Sequence, residues 1–393
     1  MAGGEQLIFL VNHHSFESGG ADVYVQYLAV GLTDMGFRVA LSWPRHRPIP
    51  PLVTGNRGGR LRVILCDYSG SGNPRARFAR SFINPWAGRR LRRVCDEISP
   101  EVIHFNQSFE GDGVDLIRSA VTYPNAKVFG TIHLKVNPPT ANRWLARGKD
   151  TLMKPFFSRF PYVKIFPSRR QLTGFAEVYG NDGFLRWVPN GIVLPPIVSA
   201  EEANVRKTEL GVSGRTVIGY SGRISQGKGV DILAAAFLEA RRIDPKLFLL
   251  VIGDGPLRGT MAQMLRKDAQ ESSWLLTGWT SRVSDYLAAV DIFVLPSQFE
   301  TGGPLSVLEA LSMGIPCLCA PFEGVDELLA RGAPLVVVEK RDVRSFTEGI
   351  IGLVTHVDQQ RECIRRSLEA LREEFDCRKM AEKTADVYFA RQH

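Results

Sequence analysis

The chain has 393 residues, room for two or three domains with buried cores. Hydrophobic residues are 44% and charged residues 23%, which excludes a mostly unfolded protein. The longest apolar runs, such as Phe248 to Ile252 and Ile292 to Leu295, are strand-sized and far below the roughly 20 residues of a membrane-spanning helix.

Short β-rich runs alternate with helix-length amphipathic stretches along almost the whole chain, the pattern of doubly wound parallel sheets, so the predicted class is α/β. In the first half the predicted strands are Leu7 to Val11, Arg38 to Ser42, Arg62 to Cys66, Val102 to Phe105, Lys127 to His133, Val163 to Pro167 and Arg186 to Val188. The turn Pro189-Asn190-Gly191 and the prolines 195 and 196 mark a boundary, and a helix begins near Ala200. The same alternation restarts with Thr216 to Tyr220, Phe248 to Ile252, Trp274 to Leu276, Ile292 to Leu295, Pro316 to Cys319 and Leu335 to Val338. From Asp342 to Gln392 the pattern is helical. Two such units in sequence imply domains at 1–195 and 196–374, with a ligand cleft between them and a helix at 375–393 packing back on the first domain.

Charge is uneven: residues 1–195 hold 25 Lys and Arg against 14 Asp and Glu, and the remainder 24 against 27. The basic surplus peaks between Arg75 and Arg93, interleaved with Phe78, Phe82 and Trp86. Such a segment suits an anionic membrane, nucleic acid or a phosphorylated substrate, or is simply a solvated helix face. The start of the chain lacks the basic beginning and long apolar core of a signal peptide, which predicts a cytoplasmic protein. Six cysteines without Cys-x-x-Cys spacing read as buried structural thiols.

Ser18-Gly19-Gly20-Ala21 follows the first strand and opens a helix, a turn that can present backbone N–H groups to an anion. His13 and His14, just before it, sit in a loop where an acceptor could bind but read first as exposed loop residues, and His104 at a strand end reads equally as cleft-lining or backbone-bound. Gly222-Arg223 ends a strand, and Lys228, flanked by glycines, is predicted to open the next helix; two cations there suit a diphosphate. Gly253-Asp254-Gly255-Pro256-Leu257-Arg258-Gly259 is close to the dinucleotide pattern, but no carboxylate follows about 20 residues on, so a tight strand-to-helix turn with Pro256 in the first helical turn is the better reading. Between Pro296 and Leu311 a strand ends in a Gly-rich loop with Glu300, and Glu309 lies one turn into the next helix; the two carboxylates bracket an object the size of a nucleotide sugar.

In order along the chain, Gly19-Gly20, Pro100 to His104, Thr131-Ile132-His133, Val188 to Gly191, Gly222-Arg223 with Lys228-Gly229, Gly253 to Pro256, Pro296-Ser297 with Glu300 and Glu309, and Gly324 to Glu327 resemble the retaining glycosyltransferases of family 4. The resemblance implies the GT-B fold, two facing Rossmann-like domains around an interdomain cleft, the first for an acceptor and the second for a nucleotide-sugar donor. By resemblance, Arg223 and Lys228 hold the donor diphosphate, and Glu309 accepts from the ribose. Glu300 with the backbone of Gly302, Gly303, Pro304 and Leu305 addresses sugar and phosphate. His133 faces the sugar near the reacting carbon, and Trp279 lies near the base, while Gly19, Gly20, Gly222 and Gly253 complete the donor contacts. Eight residues separate Glu300 from Glu309 where the family has seven, which points to a one-residue loop insertion after Glu300.

The resulting expectation is hexose transfer, with retention, from a nucleoside diphosphate sugar, expected to be UDP-linked, to a hydroxyl of a glycan, glycolipid or small molecule. Alternatives are a sugar phosphorylase or synthase of the same fold, an NAD-dependent oxidoreductase, or a noncatalytic sensor. No cofactor, metal site or nucleic-acid partner is expected; peripheral contact with an anionic membrane through Arg75 to Arg93 and a homodimer are the partner expectations.

Overall fold

The computed structural model describes residues 6–13, 19–54, 58–68, 85–134, 151, 153–181, 183–268, 271–297 and 299–390. The chain divides into two units, with breaks after Val193 and after Phe375, so that the C-terminal segment belongs to the first unit. The first unit carries β1 (Leu7–Val11), α1 (Gly20–Asp34), β2 (Arg38–Trp43), α2 (Pro51–Thr54), β3 (Leu61–Leu65), α3 (Pro85–Ile98), β4 (Val102–Gln107), α4 (Val114–Ala120), β5 (Lys127–Ile132), β6 (Val163–Phe166), α5 (Arg169–Tyr179) and β7 (Leu185–Trp187). In the second are α6 (Ala200–Glu209), β8 (Thr216–Ser221), α7 (Val230–Ile243), β9 (Leu247–Ile252), α8 (Arg258–Asp268), β10 (Trp274–Leu276), α9 (Val283–Leu287), β11 (Ile292–Leu295), α10 (Leu305–Ser312), β12 (Cys317–Cys319), α11 (Val325–Ala330), β13 (Leu335–Val337), α12 (Val343–Thr355) and α13 (Val357–Phe375). The last helix, α14 (Cys377–Phe389), returns to the first unit.

Both sheets are wholly parallel, ordered β3-β2-β1-β4-β5-β6-β7 and β10-β9-β8-β11-β12-β13. Each strand order reverses beside its first strand, between β1 and β4 and between β8 and β11, and the carboxyl ends at such a reversal form a ligand crevice. Strands covered on both faces read as continuous apolar runs: β9, Leu-Phe-Leu-Leu-Val-Ile, is buried at every position, and β1 at all but its first. The predicted strands are all present. Helix starts follow local chemistry. Ser199 and Glu202 form a reciprocal capping box on α6, Ser168 caps α5, and Asp342 caps α12.

The return of α14 is built on close backbone approach. Cys377 N donates to Ile192 O at 2.7 Å, and a Cβ placed on Gly31 of α1 would lie 2.6 Å from Cys377 O. Phe389 stacks on Phe37 with centroids 5.5 Å apart. Two sequence expectations are corrected. Lys228 does not open a helix: it lies in a turn, and α7 begins at Val230 behind Gly229 as N-cap. Pro256 likewise precedes α8, which starts at Arg258.

Candidate active site

In the second unit the loops after β8 and β11 are packed against one another. Lys228 Nζ donates to Glu300 Oε1 at 2.5 Å, and Arg341 Nε donates to Pro296 O at 2.8 Å. The loop after β8 is held from below, where the buried Tyr220 hydroxyl donates to Arg223 O at 2.9 Å. Burial, and secondarily the charge of Glu300, pushes the Tyr220 phenol and the Cys319 thiol upward, so both stay neutral beside that carboxylate.

Glu300, rather than Thr301, faces Lys228. Thr301 forms a main-chain bridge with Glu323, and Gly302 N donates to Glu323 O at 3.0 Å. Gly302 and Gly303 then take left-handed conformations (φ 66° and 89°), which turns the chain into α10. Pro304 is the N-cap of α10 and no side chain caps the helix, while Val307 N and Leu308 N bond to Pro304 O. The N–H groups of Leu305 and Ser306 therefore have no intrahelical acceptor and lie at the positive end of the helix. Glu309 is half-buried in the second turn of α10.

Gly253 and Gly255 serve packing between loops. A Cβ on Gly253 would lie 2.0 Å from Gly222 O, and one on Gly255 would lie 2.3 Å from Ile224 O. Gly222 N→Ile252 O (3.0 Å), Ile224 N→Asp254 O (2.9 Å) and Leu257 N→Ile224 O (3.0 Å) zip the two turns together. The third glycine position of the dinucleotide pattern is occupied by Arg258, and a Cβ on Gly259, one residue later, would meet nothing within 4 Å. Trp279, following β10, is 64% exposed.

The first unit has a buried polar row at the carboxyl edge of β1, β4 and β5. His133 Nε2 lies 2.7 Å from Asn106 Oδ1, Asn106 Nδ2 donates to Asn12 Oδ1 at 3.0 Å, and Asn12 Nδ2 donates to Asp22 Oδ1 at 2.8 Å. Arg47 pairs with the other Asp22 oxygen at 3.0 Å, and Gly19 N donates to that same oxygen at 3.2 Å. Gly19 thus spends its N–H inside the protein, leaving Gly20 and Ala21 as the first donors of α1. Tyr24 packs edge-on to His133, centroids 4.5 Å apart.

His104 is neither cleft-lining nor backbone-bound. It is fully buried inside β4, with Nε2 3.0 Å from Thr131 Oγ1 and Nδ1 2.7 Å from the Tyr388 hydroxyl of α14. Burial holds its pKa down to about 3, so the ring is neutral. His13 is also buried, not exposed: it pairs with buried Asp112 at 3.2 Å, beneath Gly113. His14 and residues 75–84 of the basic segment lie outside the described residues.

Asn12, Asp22, Arg47 and Asn106 were not singled out by sequence. Their signal is a polar residue at or just beyond the end of an apolar strand, as Asn12 follows Phe9-Leu10-Val11 and Asn106 follows Phe105. All six cysteines are free, with Cys363 exposed and the others wholly or partly buried. Among the described residues there is no group of three His, Cys, Asp or Glu side chains able to hold a metal ion, and no helix long and apolar enough to cross a membrane.

Two parallel α/β units with the same strand order, each reversing beside its first strand, define a GT-B type of protein. Residues 18–194 match the family model Glycosyltransferase Family 4, and residues 215–356 match Glycosyl transferases group 1. The chain belongs to this glycosyltransferase family. It is 28% identical over 180 residues to UDP-Gal:alpha-D-GlcNAc-diphosphoundecaprenol alpha-1,3-galactosyltransferase of Escherichia coli, covering 44% of this chain and 46% of that one. It is 27% identical over 185 residues to N-acetyl-alpha-D-glucosaminyl L-malate synthase of Bacillus anthracis, covering 47% and 48%. The matched part spans about half the length of these curated relatives. In fold it resembles Anabaena Alr3699/HepE, solved in complex with UDP and glucose, with a TM-score of 0.76 at 15% identity over 98% of this chain and 99% of that one. Sucrose-phosphate synthase from Thermosynechococcus elongatus gives 0.79 at 18% identity over 98% of both.

Proposed function

We propose that this protein transfers a hexose from a nucleoside diphosphate sugar, UDP-linked, to an acceptor hydroxyl with retention of configuration. The observation that carries the reading is the Lys228–Glu300 pair at the strand-order reversal of the second unit, with Arg223 in the same loop as Lys228 and the Gly302-Gly303 turn leading from Glu300 into the uncapped N-terminus of α10. A diphosphate leaving group gains negative charge as the glycosidic bond breaks, and fixed cations with aligned N–H groups stabilise it. Arg223 and Lys228 meet the diphosphate, Glu309 accepts from the ribose, and Trp279 offers its exposed face to the base. Glu300, paired with Lys228, accepts hydroxyls of the donor sugar beside the diphosphate.

The first unit serves the acceptor, and His133 serves the sugar. Retention is by same-face attack with the departing phosphate as base, so no nucleophilic side chain is required. Gly253 and Gly255 need no dinucleotide to explain them, which weakens the oxidoreductase alternative. UDP as the nucleotide is supported by the name of the Escherichia coli relative and by the UDP complex of the Anabaena fold neighbour. No resident metal or cofactor takes part in this scheme, so transfer from UDP-hexose should persist undiminished after chelation with EDTA; abolition by EDTA and rescue by a divalent cation would contradict it.

The acceptor side includes an anionic membrane surface. On α3, Ala87, Leu91 and Cys95 are buried while Trp86, Arg89, Arg90 and Arg93 are exposed on successive turns. Trp86 is 65% exposed, with the Arg89 guanidinium 5.0 Å from its ring centre. Within the unit, Arg92 bonds Ser119 and Thr122, and Arg90 Nη1 donates to Asp67 O at 2.7 Å. An aromatic among cations on one helical face suits the headgroup layer. Retaining transfer is tested by the anomeric configuration of the product from a UDP-hexose, and an inverted product would refute it.

A further inference from the structure

His133 stands just past the end of β5, where the sheet supports the chain on one side only. Pairing of β5 with β6 runs from Phe129↔Val163 to Thr131↔Ile165, and the same register continued puts His133 beside Pro167, which has no N–H to give. The β4 side is held by main chain, His133 N donating to Gln107 O at 3.0 Å and Leu134 N to Ser108 O at 2.9 Å. On the other side a side chain takes the place of a strand. Gln171 Nε2 of α5 donates to Ile132 O at 3.0 Å and to Leu134 O at 2.9 Å, one amide hydrogen for the carbonyl on each flank of His133. Carbonyls only accept, so the nitrogen end of this amide has to face them.

Gln171 forgoes a local bond to make these two. Ser168-Arg169-Arg170-Gln171 spells a capping box, in which the glutamine reaches back to the N–H of the N-cap residue. Only half of the box forms: Ser168 Oγ accepts from Gln171 N at 3.4 Å, while Gln171 Oε1, in a residue only 2% exposed, has no hydrogen-bond partner among the described residues. A buried oxygen left unpaired costs stability, and the bonds made by the nitrogen end account for the side chain's position.

We infer that Gln171 is a positioning residue for transfer, its amide clamping the main chain on both flanks of His133 and so fixing where the imidazole meets the sugar. The role of His133 toward the sugar rests on the proposed transferase function; the clamp rests on the hydrogen bonds alone. The ring itself is steadied by Asn106 at 2.7 Å and by the edge of Tyr24, and the clamp adds the backbone to what is held. Misplacement of a site group by about 1 Å can cost about a hundredfold in rate.

The test has two arms. In the wild-type full chain, the Gln171 side-chain NH2, assigned by NMR through its own backbone, should exchange with D2O at least about tenfold more slowly than the NH2 groups of exposed glutamines, because both its hydrogens are bonded in the interior. In Gln171→Met, which keeps the length and loses the donor, kcat for transfer from UDP-hexose should fall about ten- to a hundredfold, while KM for the donor stays within about twofold. Fast exchange of the wild-type NH2 overturns the inference. A Gln171→Met enzyme with wild-type kcat overturns it as well, even with a lowered melting temperature, since the side chain is then merely structural. If Gln171→Met does not fold, wild-type exchange still decides the clamp, and Gln171→Asn, too short to reach both carbonyls, supplies the kinetic comparison. Failure of the wild type to transfer from every donor, alongside slow exchange, counts against the proposed function and leaves the clamp standing.

Discussion

Lys228 and Glu300 face each other at 2.5 Å, one 33% and the other 15% exposed, so the pair is partly shielded from water while remaining reachable by a ligand. If the Lys228 ammonium is what receives the leaving diphosphate, Lys228→Ala should lower kcat at least about a hundredfold, the size of effect found for a single donor to a developing anion. Turnover near that of the wild type would remove Lys228 from the mechanism. His104 gives a prediction about stability. A free histidine titrates near 6.5, whereas burial holds His104 to about 3, so on acidification the unfolded chain binds a proton that the folded chain refuses. Its contribution is complete above about pH 6.5 and is lost as pH falls toward about 3. Melting temperature should therefore fall less steeply with acid in His104→Gln than in the wild type, and equal slopes would contradict this. Residue chemistry is only partly legible in sequence. The Gly-rich loops with Arg223, Lys228, Glu300 and Glu309 stand out because few other roles combine those residue types at strand ends. The settings of His13 and His104 are hidden because their partners, Asp112, Thr131 and Tyr388, come from the loop after β4, from β5 and from the distant α14, and no local pattern reveals such pairing.

At the scale of elements, strands are easy to read because burial on both faces leaves unbroken apolar runs such as β9, and helix starts are harder. The turn at 225–229 delays α7, which moves Lys228 from a helix into a loop lying against Glu300. The seating of α14 on α1 is legible as a helix and invisible as a contact, since it depends on a small residue at Gly31 against the Cys377 carbonyl. Gly31→Val should unseat α14 and destabilise the first unit by about 1–3 kcal/mol, the usual cost of overpacking a close contact. A midpoint of chemical unfolding equal to that of the wild type would show that α14 shifts freely. Because Tyr388 reaches His104 from α14, the same variant should also disturb the polar chain through Thr131 to Tyr24.

Over the whole molecule, two units of the same strand order carry opposite charge balances, the basic surplus lying in residues 1–195. On α3 that surplus is placed as an exposed stripe of Trp86, Arg89, Arg90 and Arg93 opposite the buried Ala87, Leu91 and Cys95, a placement that residue order alone does not give. Replacing Arg89, Arg90 and Arg93 with Gln should release the protein from vesicles containing anionic lipid, more so at low salt than at high; undiminished binding would refute a membrane role for the stripe. The donor site of the second unit is the central claim, and its most direct test is a thermal-shift panel of UDP, GDP, ADP, TDP and NAD, repeated with Glu309→Ala and Arg223→Ala. A ligand that binds only the folded state raises its melting temperature. The expected result is stabilisation by UDP above the other nucleotides, lost in both variants. Stabilisation by NAD alone, or by UDP equally in wild type and both variants, would contradict it.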